Sequence, residues 1–270
     1  MLKIAILASG STGNCAVASD GVTHVLLDAG ISAKRIHAGL RELGLSPADL
    51  SAVLVTHAHG DHVSGLRVLA RGSGIPIFAT PPACEEWYRR CPCAETRALF
   101  RLHEAGSAFE AGSLAVRSFP TPHDAAGSVG YVLSGGGSSL ALCTDLGRVT
   151  GEVRQAAAGC GTLVCEANHD LELLKNGPYP YVLKRRILGQ KGHLSNEEGA
   201  ELAAYAAERG TKAVVLAHLS RTNNTPKLAY GAAAARLRAM GREPGRDISL
   251  CVAPESAPSP RWLEEEAVIC

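Results

Sequence analysis

The run His57-Ala58-His59-Gly60-Asp61-His62 places three imidazoles and a carboxylate within six residues. In an extended segment, residues two apart point the same way, so His57 and His59 can share one metal ion. Asp61 and His62 come as the chain turns and can face a second ion beside the first. Imidazole and carboxylate donors suit zinc, manganese or iron rather than calcium or magnesium. Chance produces this pattern in roughly one such chain in a few thousand, so a polar surface loop is a weak rival. Further donors stand where strands should end and loops can converge. His123 follows Ser118-Phe119-Pro120-Thr121-Pro122, Asp145 closes Leu140-Ala141-Leu142-Cys143-Thr144, and His218 closes Val214-Val215-Leu216-Ala217. Alone, each would read as a hydrogen-bonded strand-end residue. With the motif they make seven donors, about what two ions need if one carboxylate bridges and positions stay open for water.

The elements that must carry these donors alternate along the chain. Short apolar runs at 2–8, 22–27, 52–55 and 75–79 predict strands, and Ile36, Leu40 and Leu43 predict a helix that Gly44 stops. A helix is expected from Pro82 through Tyr88. Runs at 114–119, 129–133 and 140–143 predict strands, with Gly135-Gly136-Gly137 as a turn. Then helices at 149–158, 179–188, 195–209 and 227–240 alternate with strands at 162–165, 213–217 and 248–252. Ser195-Asn196-Glu197-Glu198 has the spacing of a capping box. No repeat or low-complexity linker divides the chain, so one domain over 1–253 is expected, with a loosely held, proline-rich tail over 254–270.

The chain has 270 residues, is 46% hydrophobic and carries a formal net charge of +1. Such a composition allows a full core and excludes a global field that would steer the protein to nucleic acid or an anionic membrane. No apolar run approaches the roughly 20 residues of a spanning helix, and the first residues do not form a signal-peptide core. The nine scattered cysteines read as reduced cytoplasmic thiols; Cys84, Cys91 and Cys93 fit no common zinc spacing. His24, His37 and His103 have no matching partners.

Asp28 at the end of an early strand, then H-x-H-x-D-H, a strand-end His, a strand-end Asp and a late strand-end His resemble the motif series of metallo-β-lactamase-fold hydrolases. The resemblance spans the chain to about residue 253. It implies an α/β fold, the αββα sandwich of that family, with a di-metal site at one edge of paired sheets. It assigns His57, His59 and His123 to one ion, Asp61, His62 and His218 to the other, Asp145 to both, and to Asp28 the bracing of the histidine loop.

Further stretches resemble the YycJ (WalJ) branch: 8–14 (Ala-Ser-Gly-Ser-Thr-Gly-Asn), Thr144-Asp145-Leu146-Gly147, Glu166-Ala167-Asn168-His169-Asp170, 179–188, Gly192-His193-Leu194-Ser195-Asn196, and His218-Leu219-Ser220 followed by Asn223-Asn224. That likeness implies a DNA exonuclease acting from 5′ ends, with a link to cell-wall signalling and with RNA as an open alternative substrate. Asp61 would accept a hydrogen bond from the attacking water. His193 would protonate the leaving oxygen, oriented by Glu166. Ser11, Asn14, Ser195 at a helix start, Arg221 and Asn223 would grip the terminal phosphate. Lys184, Arg185 and Arg186 are consecutive and cannot all face one groove of a helix, so at least one belongs to a solvated face. His169 would cap or orient its loop. Two rival readings remain: a thioester or lactone hydrolase of the same fold, and a non-catalytic regulatory module of a signalling pathway. The native metal and the oligomeric state are not legible in the chain.

Overall fold

The computed structural model describes residues 1–257 and 259–263. The chain forms two compact units. Residues 1–120, 125–137 and 254–263 make the first, and residues 121–124 and 138–253 belong to the second. No helix among the described residues is long and apolar enough to cross a membrane.

The first unit is built on a six-stranded sheet: β1 (Lys3–Ala8), β2 (Cys15–Ser19), β3 (His24–Leu27), β4 (Leu50–Leu54), β5 (Ile77–Ala79) and β6 (Phe100–Leu102), adjacent in that order. The pairs from β1 to β3 are antiparallel, and those from β3 to β6 are parallel. Helices α1 (Ala33–Glu42), α2 (Gly60–Val63), α3 (Leu66–Ser73), α4 (Pro81–Arg90) and α5 (Ala94–Arg97) fill the crossovers. Ser32 caps α1 by accepting from Arg35 N, and Ile36 and Leu40 enter a core that also holds Leu7, Leu26, Val53, Leu66 and Trp87. Three antiparallel strands complete the unit: β7 (Ala108–Ala111), β8 (Leu114–Pro120) and β9 (Val129–Gly135). The expected tail is not loose where it is described. Ala257 N donates to Leu7 O at 3.0 Å, and Ile4 and Leu263 form a β-bridge. The rest of that tail lies outside the described residues.

The second unit is a parallel sheet of β10 (Ser138–Cys143), β11 (Thr162–Glu166), β12 (Ala213–Ala217) and β13 (Ser249–Val252). Its helices are α6 (Gly151–Ala157), α7 (Leu171–Asn176), α8 (Tyr181–Ile187), α9 (Asn196–Ala207) and α10 (Pro226–Ala239). The predicted capping box opens α9: Ser195 N donates to Glu198 Oε2 at 2.9 Å, and Glu198 N donates to Ser195 Oγ at 3.2 Å.

In both units the chemistry-bearing residues stand at the carboxyl ends of parallel strands, where the loops of α/β sheets converge. Asp28 follows β3, His57 lies three residues beyond β4, Asp145 two beyond β10, Glu166 ends β11, and His218 follows β12. Asp28, Asp145 and His218 are the non-glycine residues with positive φ among the described ones, at 57°, 58° and 59°. This left-handed turn costs an ordinary side chain roughly 1–2 kcal/mol, and Asn, Asp and His tolerate it best. At these three strand ends the left-handed turn falls on the residue whose side chain is chemically useful.

Candidate metal centre

The first unit presents the motif loop directly after β4. Thr56 fixes its start: its N–H donates to Asp28 Oδ1 at 2.8 Å, its hydroxyl donates to Asp28 Oδ2 at 2.9 Å, and its carbonyl accepts from Val129 N at 3.0 Å. With its proton given to Asp28, the Thr56 oxygen accepts from His57 Nδ1 at 3.0 Å. Asp28 Oδ2 also receives His62 Nδ1 at 2.7 Å. Both imidazoles are buried and lie close, with ring centroids 4.1 Å apart; the His57 and His59 rings are 4.7 Å apart. The loop 9–14 leans on the motif, because Asn14 N donates to Asp61 O at 2.7 Å and Asn14 Nδ2 lies 3.3 Å from Asp61 Oδ2. Gly30 allows this approach; a Cβ there would stand 1.7 Å from Asp61 O.

The second unit gathers His123, Asp145, Glu166, His193 and His218. Glu166 is fully buried and takes four hydrogen bonds. Its Oε2 accepts from Leu146 N at 2.9 Å and Leu194 N at 3.1 Å, and its Oε1 accepts from Nδ1 of His193 at 2.8 Å and of His218 at 2.9 Å. Burial works to raise the Glu166 carboxyl, but His193 and His218 outweigh it and hold the group well below the ordinary carboxylate range. Asp145 Oδ1 lies 3.6 Å from both His123 Nε2 and His218 Nδ1. His123 Nδ1 is 3.3 Å from Gly192 O, and burial lowers its pKa against the opposing pull of Asp145.

One ligand atom from each of Asp145, Glu166, His193 and His218 falls within 4.8 Å of the others. Those Nδ1 and Oε1 atoms are partners in hydrogen bonds, so this set does not itself make an ion pocket. The same device recurs instead at four histidines. Thr56, Asp28, Gly192 O and Glu166 each accept from the Nδ1 of His57, His62, His123 and His218, in the tautomer that leaves Nε2 with its lone pair. Imidazoles anchored at one nitrogen and basic at the other fit divalent transition metals. Spacing gave no hint of Thr56 or Gly192 in this role, nor of Glu166 holding a second histidine 52 residues away.

The expected phosphate grips fare less well. Ser195 is 2% exposed with its N–H and hydroxyl both committed to the capping box, and Asn196 N donates to His169 O at 2.8 Å. Asn223 is fully buried, with its amide nitrogen 3.4 Å from Ser220 Oγ. Neither can meet a phosphate, and both assignments are corrected to structural roles. Asn14 is occupied by the motif loop, whereas Ser11 and Arg221 are exposed. Of the three basic residues on α8, Arg186 pairs with Asp124 beside His123, Lys184 donates to Lys175 O, and Arg185 lies over the Tyr181 ring. The His169 ring does not orient its loop: neither ring nitrogen has a hydrogen-bond partner among the described residues.

A family model described as the beta-lactamase superfamily domain matches residues 23–219, from β3 to just past His218. The chain belongs to the beta-lactamase superfamily. Among its curated relatives, Exodeoxyribonuclease YycJ of Bacillus anthracis is 38% identical over 231 residues, covering 84% of this chain and 86% of that one. Exodeoxyribonuclease WalJ of Streptococcus pneumoniae is 36% identical over 229 residues, covering 84% and 85%. These place the chain in the YycJ/WalJ-like branch of the superfamily. The metallo-beta-lactamase fold protein YhfI of Bacillus subtilis superimposes with a TM-score of 0.71 at 14% identity, covering 97% of this chain and 99% of the other, which shows the fold. The expected α/β class thus resolves to the metallo-β-lactamase fold, that of metal-dependent hydrolases.

Proposed function

We propose that the protein is a di-metal phosphodiesterase that removes nucleotides from the 5′ ends of DNA, with residues 1–253 as its hydrolase domain. What carries this reading is the 36–38% identity, over 84% of the chain, to two proteins named exodeoxyribonucleases. The donor set supports zinc or manganese, with iron a further fit to imidazole and carboxylate. His57, His59 and His123 would hold one ion, Asp61, His62 and His218 the other, and Asp145 both. When bound, such a pair lowers the pKa of water and neutralises charge growing on phosphoryl oxygens.

The chain's own residues supply the rest. Asp61, steadied by Asn14, accepts a hydrogen bond from the attacking water. His193 gives its Nδ1 proton to the Glu166 bond and keeps Nε2 for the departing sugar oxygen, a poor leaving group without a proton. Glu166 remains ionised and stabilises the charged imidazole before transfer. Ser11 and Arg221 meet the terminal phosphate. The described cysteines are all free, which accords with a reducing cytoplasm.

The test is purified protein loaded with manganese or zinc and offered end-labelled linear DNA, RNA and a closed circular duplex. Early release of 5′ label from DNA, with the circle intact, is expected. Early release of 3′ label, or cutting of the circle at the linear rate, overturns the polarity. Turnover of a chromogenic thioester without any cleavage of DNA overturns the phosphodiesterase reading.

A further inference from the structure

Behind the motif loop of the first unit lies a cavity of about 520 Å³, within the range of about 300–1,000 Å³ typical of ligand pockets. Its walls are of two kinds. Val63, Val68 and Trp87 are apolar, and Val68 is 66% exposed although it sits on a helix whose other apolar residues are buried. Arg67 and Arg90 supply the cations. Arg90 is held flat against the loop, donating to Ala58 O at 3.1 Å and to Glu86. Arg67 is exposed and makes no ion pair or hydrogen bond among the described residues, so the cavity keeps one uncompensated positive charge.

Gly60 lines this cavity and stands in the chain between the candidate donors His59 and Asp61. Its backbone does not need glycine: its φ is not positive, and a Cβ there would meet no atom within 4 Å. The protein's own packing therefore leaves the space beside Gly60 open. A ligand with a flat apolar face and an attached anion suits such walls, because bases pack against apolar and aromatic side chains while guanidinium groups take phosphates. A strand end lying at His59 and Asp61 would continue over Gly60 into this space.

We propose that the cavity is a nucleotide subsite for the DNA strand beyond the cleaved end, with a base against Val63 and Val68 and a backbone phosphate on Arg67. The proposal rests on the exonuclease reading and extends it to residues outside the donor set.

The experiment is fluorescence anisotropy with metal-loaded protein and a single-stranded DNA 12-mer. The oligonucleotide carries a 5′ phosphate, uncleavable phosphorothioate linkages and a 3′ fluorophore, and is titrated at several salt concentrations. Arg67→Ala should weaken binding roughly tenfold at low salt. It should also flatten the slope of log affinity against log salt by about 0.7, the value for one phosphate contact to a single strand. Val68→Asp should weaken binding at least as much. Metal content and thermal midpoint at parental values establish an intact fold and motif loop. A parental salt slope in Arg67→Ala together with parental affinity in Val68→Asp overturns the subsite and leaves the exonuclease reading standing. No binding of DNA by the parent protein overturns both. Conversion of a dimer to a monomer by either variant makes the face an interface between copies and overturns the subsite.

Discussion

Replacing Glu166 by glutamine changes one oxygen to nitrogen, yet its four hydrogen bonds make that change severe. The carboxylate accepts two backbone N–H groups on Oε2 and two imidazole Nδ1 protons on Oε1. An amide has a single oxygen for these four donors. With that oxygen toward Leu146 and Leu194, the NH₂ faces His193 and His218. Each ring can accept from it only by moving its own proton to Nε2, and in that tautomer His218 cannot bind metal through Nε2. The reverse orientation sets the NH₂ against two backbone N–H groups. Either way two charge-assisted bonds go, at about 1.5–3 kcal/mol each, or about 3–6 kcal/mol in all. Loss of a carboxylate behind a metal-binding histidine weakens metal affinity roughly 10–100-fold, a separate loss of about 1.4–2.8 kcal/mol in binding. The lost hydrogen bonds should lower the stability of the metal-free fold by about 3–6 kcal/mol. Calorimetric titration with zinc and thermal melts in chelator measure the two parts. A carboxylate that served only His193 would leave metal affinity untouched, so parental affinity for both ions in Glu166→Gln refutes the argument.

His193→Ala should retain its metals and fold but slow DNA hydrolysis roughly 10²–10⁴-fold, with a much smaller loss on a nitrophenyl phosphodiester whose leaving group is already acidic. Equal losses on both substrates, measured at saturating metal, would remove the proton-donor role. His169 is buried, and burial lowers its pKa to about 4, below the ordinary value near 6.5. Between those values the unfolded chain binds the extra proton, so this residue's contribution falls as pH drops below 6.5, by about 2 kcal/mol at pH 5. His169→Phe, which breaks no hydrogen bond of the ring, should flatten that loss in urea melts run in chelator at pH 7.5 and 5.0; parallel losses in both proteins would refute it. Gly30→Ala drives a Cβ into Asp61 O and Asn14 N, both backbone atoms. It should cost about 3 kcal/mol in thermal denaturation and displace the motif loop, seen as lost metal.

The candidate donors stand out in sequence because strand ends and residue types coincide. Asp28, the His57–His62 run, Asp145 and His218 each follow an apolar run that does become a strand. Other elements carry no such mark. β2 is all buried but reads Cys-Ala-Val-Ala-Ser, mostly small residues in which Val17 alone strongly favours a strand, and β1 and β3 pair on either side of it. β6 is three largely exposed residues, and α3 is two turns long. Ser195 showed its capping box in sequence, and that same box excludes the anion-binding role proposed for its helix start. The hydrogen bonds behind the donors were invisible for a different reason: Glu166 and His218, or Asp28 and His62, meet only through the three-dimensional order of the strands.

The left-handed backbone at Asp28, Asp145 and His218 narrows the alphabet available at these positions. Each position makes two demands, one for a side-chain polar atom and one for tolerance of a φ near 58°. Glutamate and cysteine could offer metal-binding or hydrogen-bonding atoms, but they lack the local polar compensation that lets Asp, Asn and His accept this turn. Alanine scanning here would therefore report two losses as one, chemistry and backbone together. Gly at 28, 145 or 218 separates them: it keeps the turn and deletes the whole side chain. The difference between the Gly and the Ala variants then measures the backbone's share.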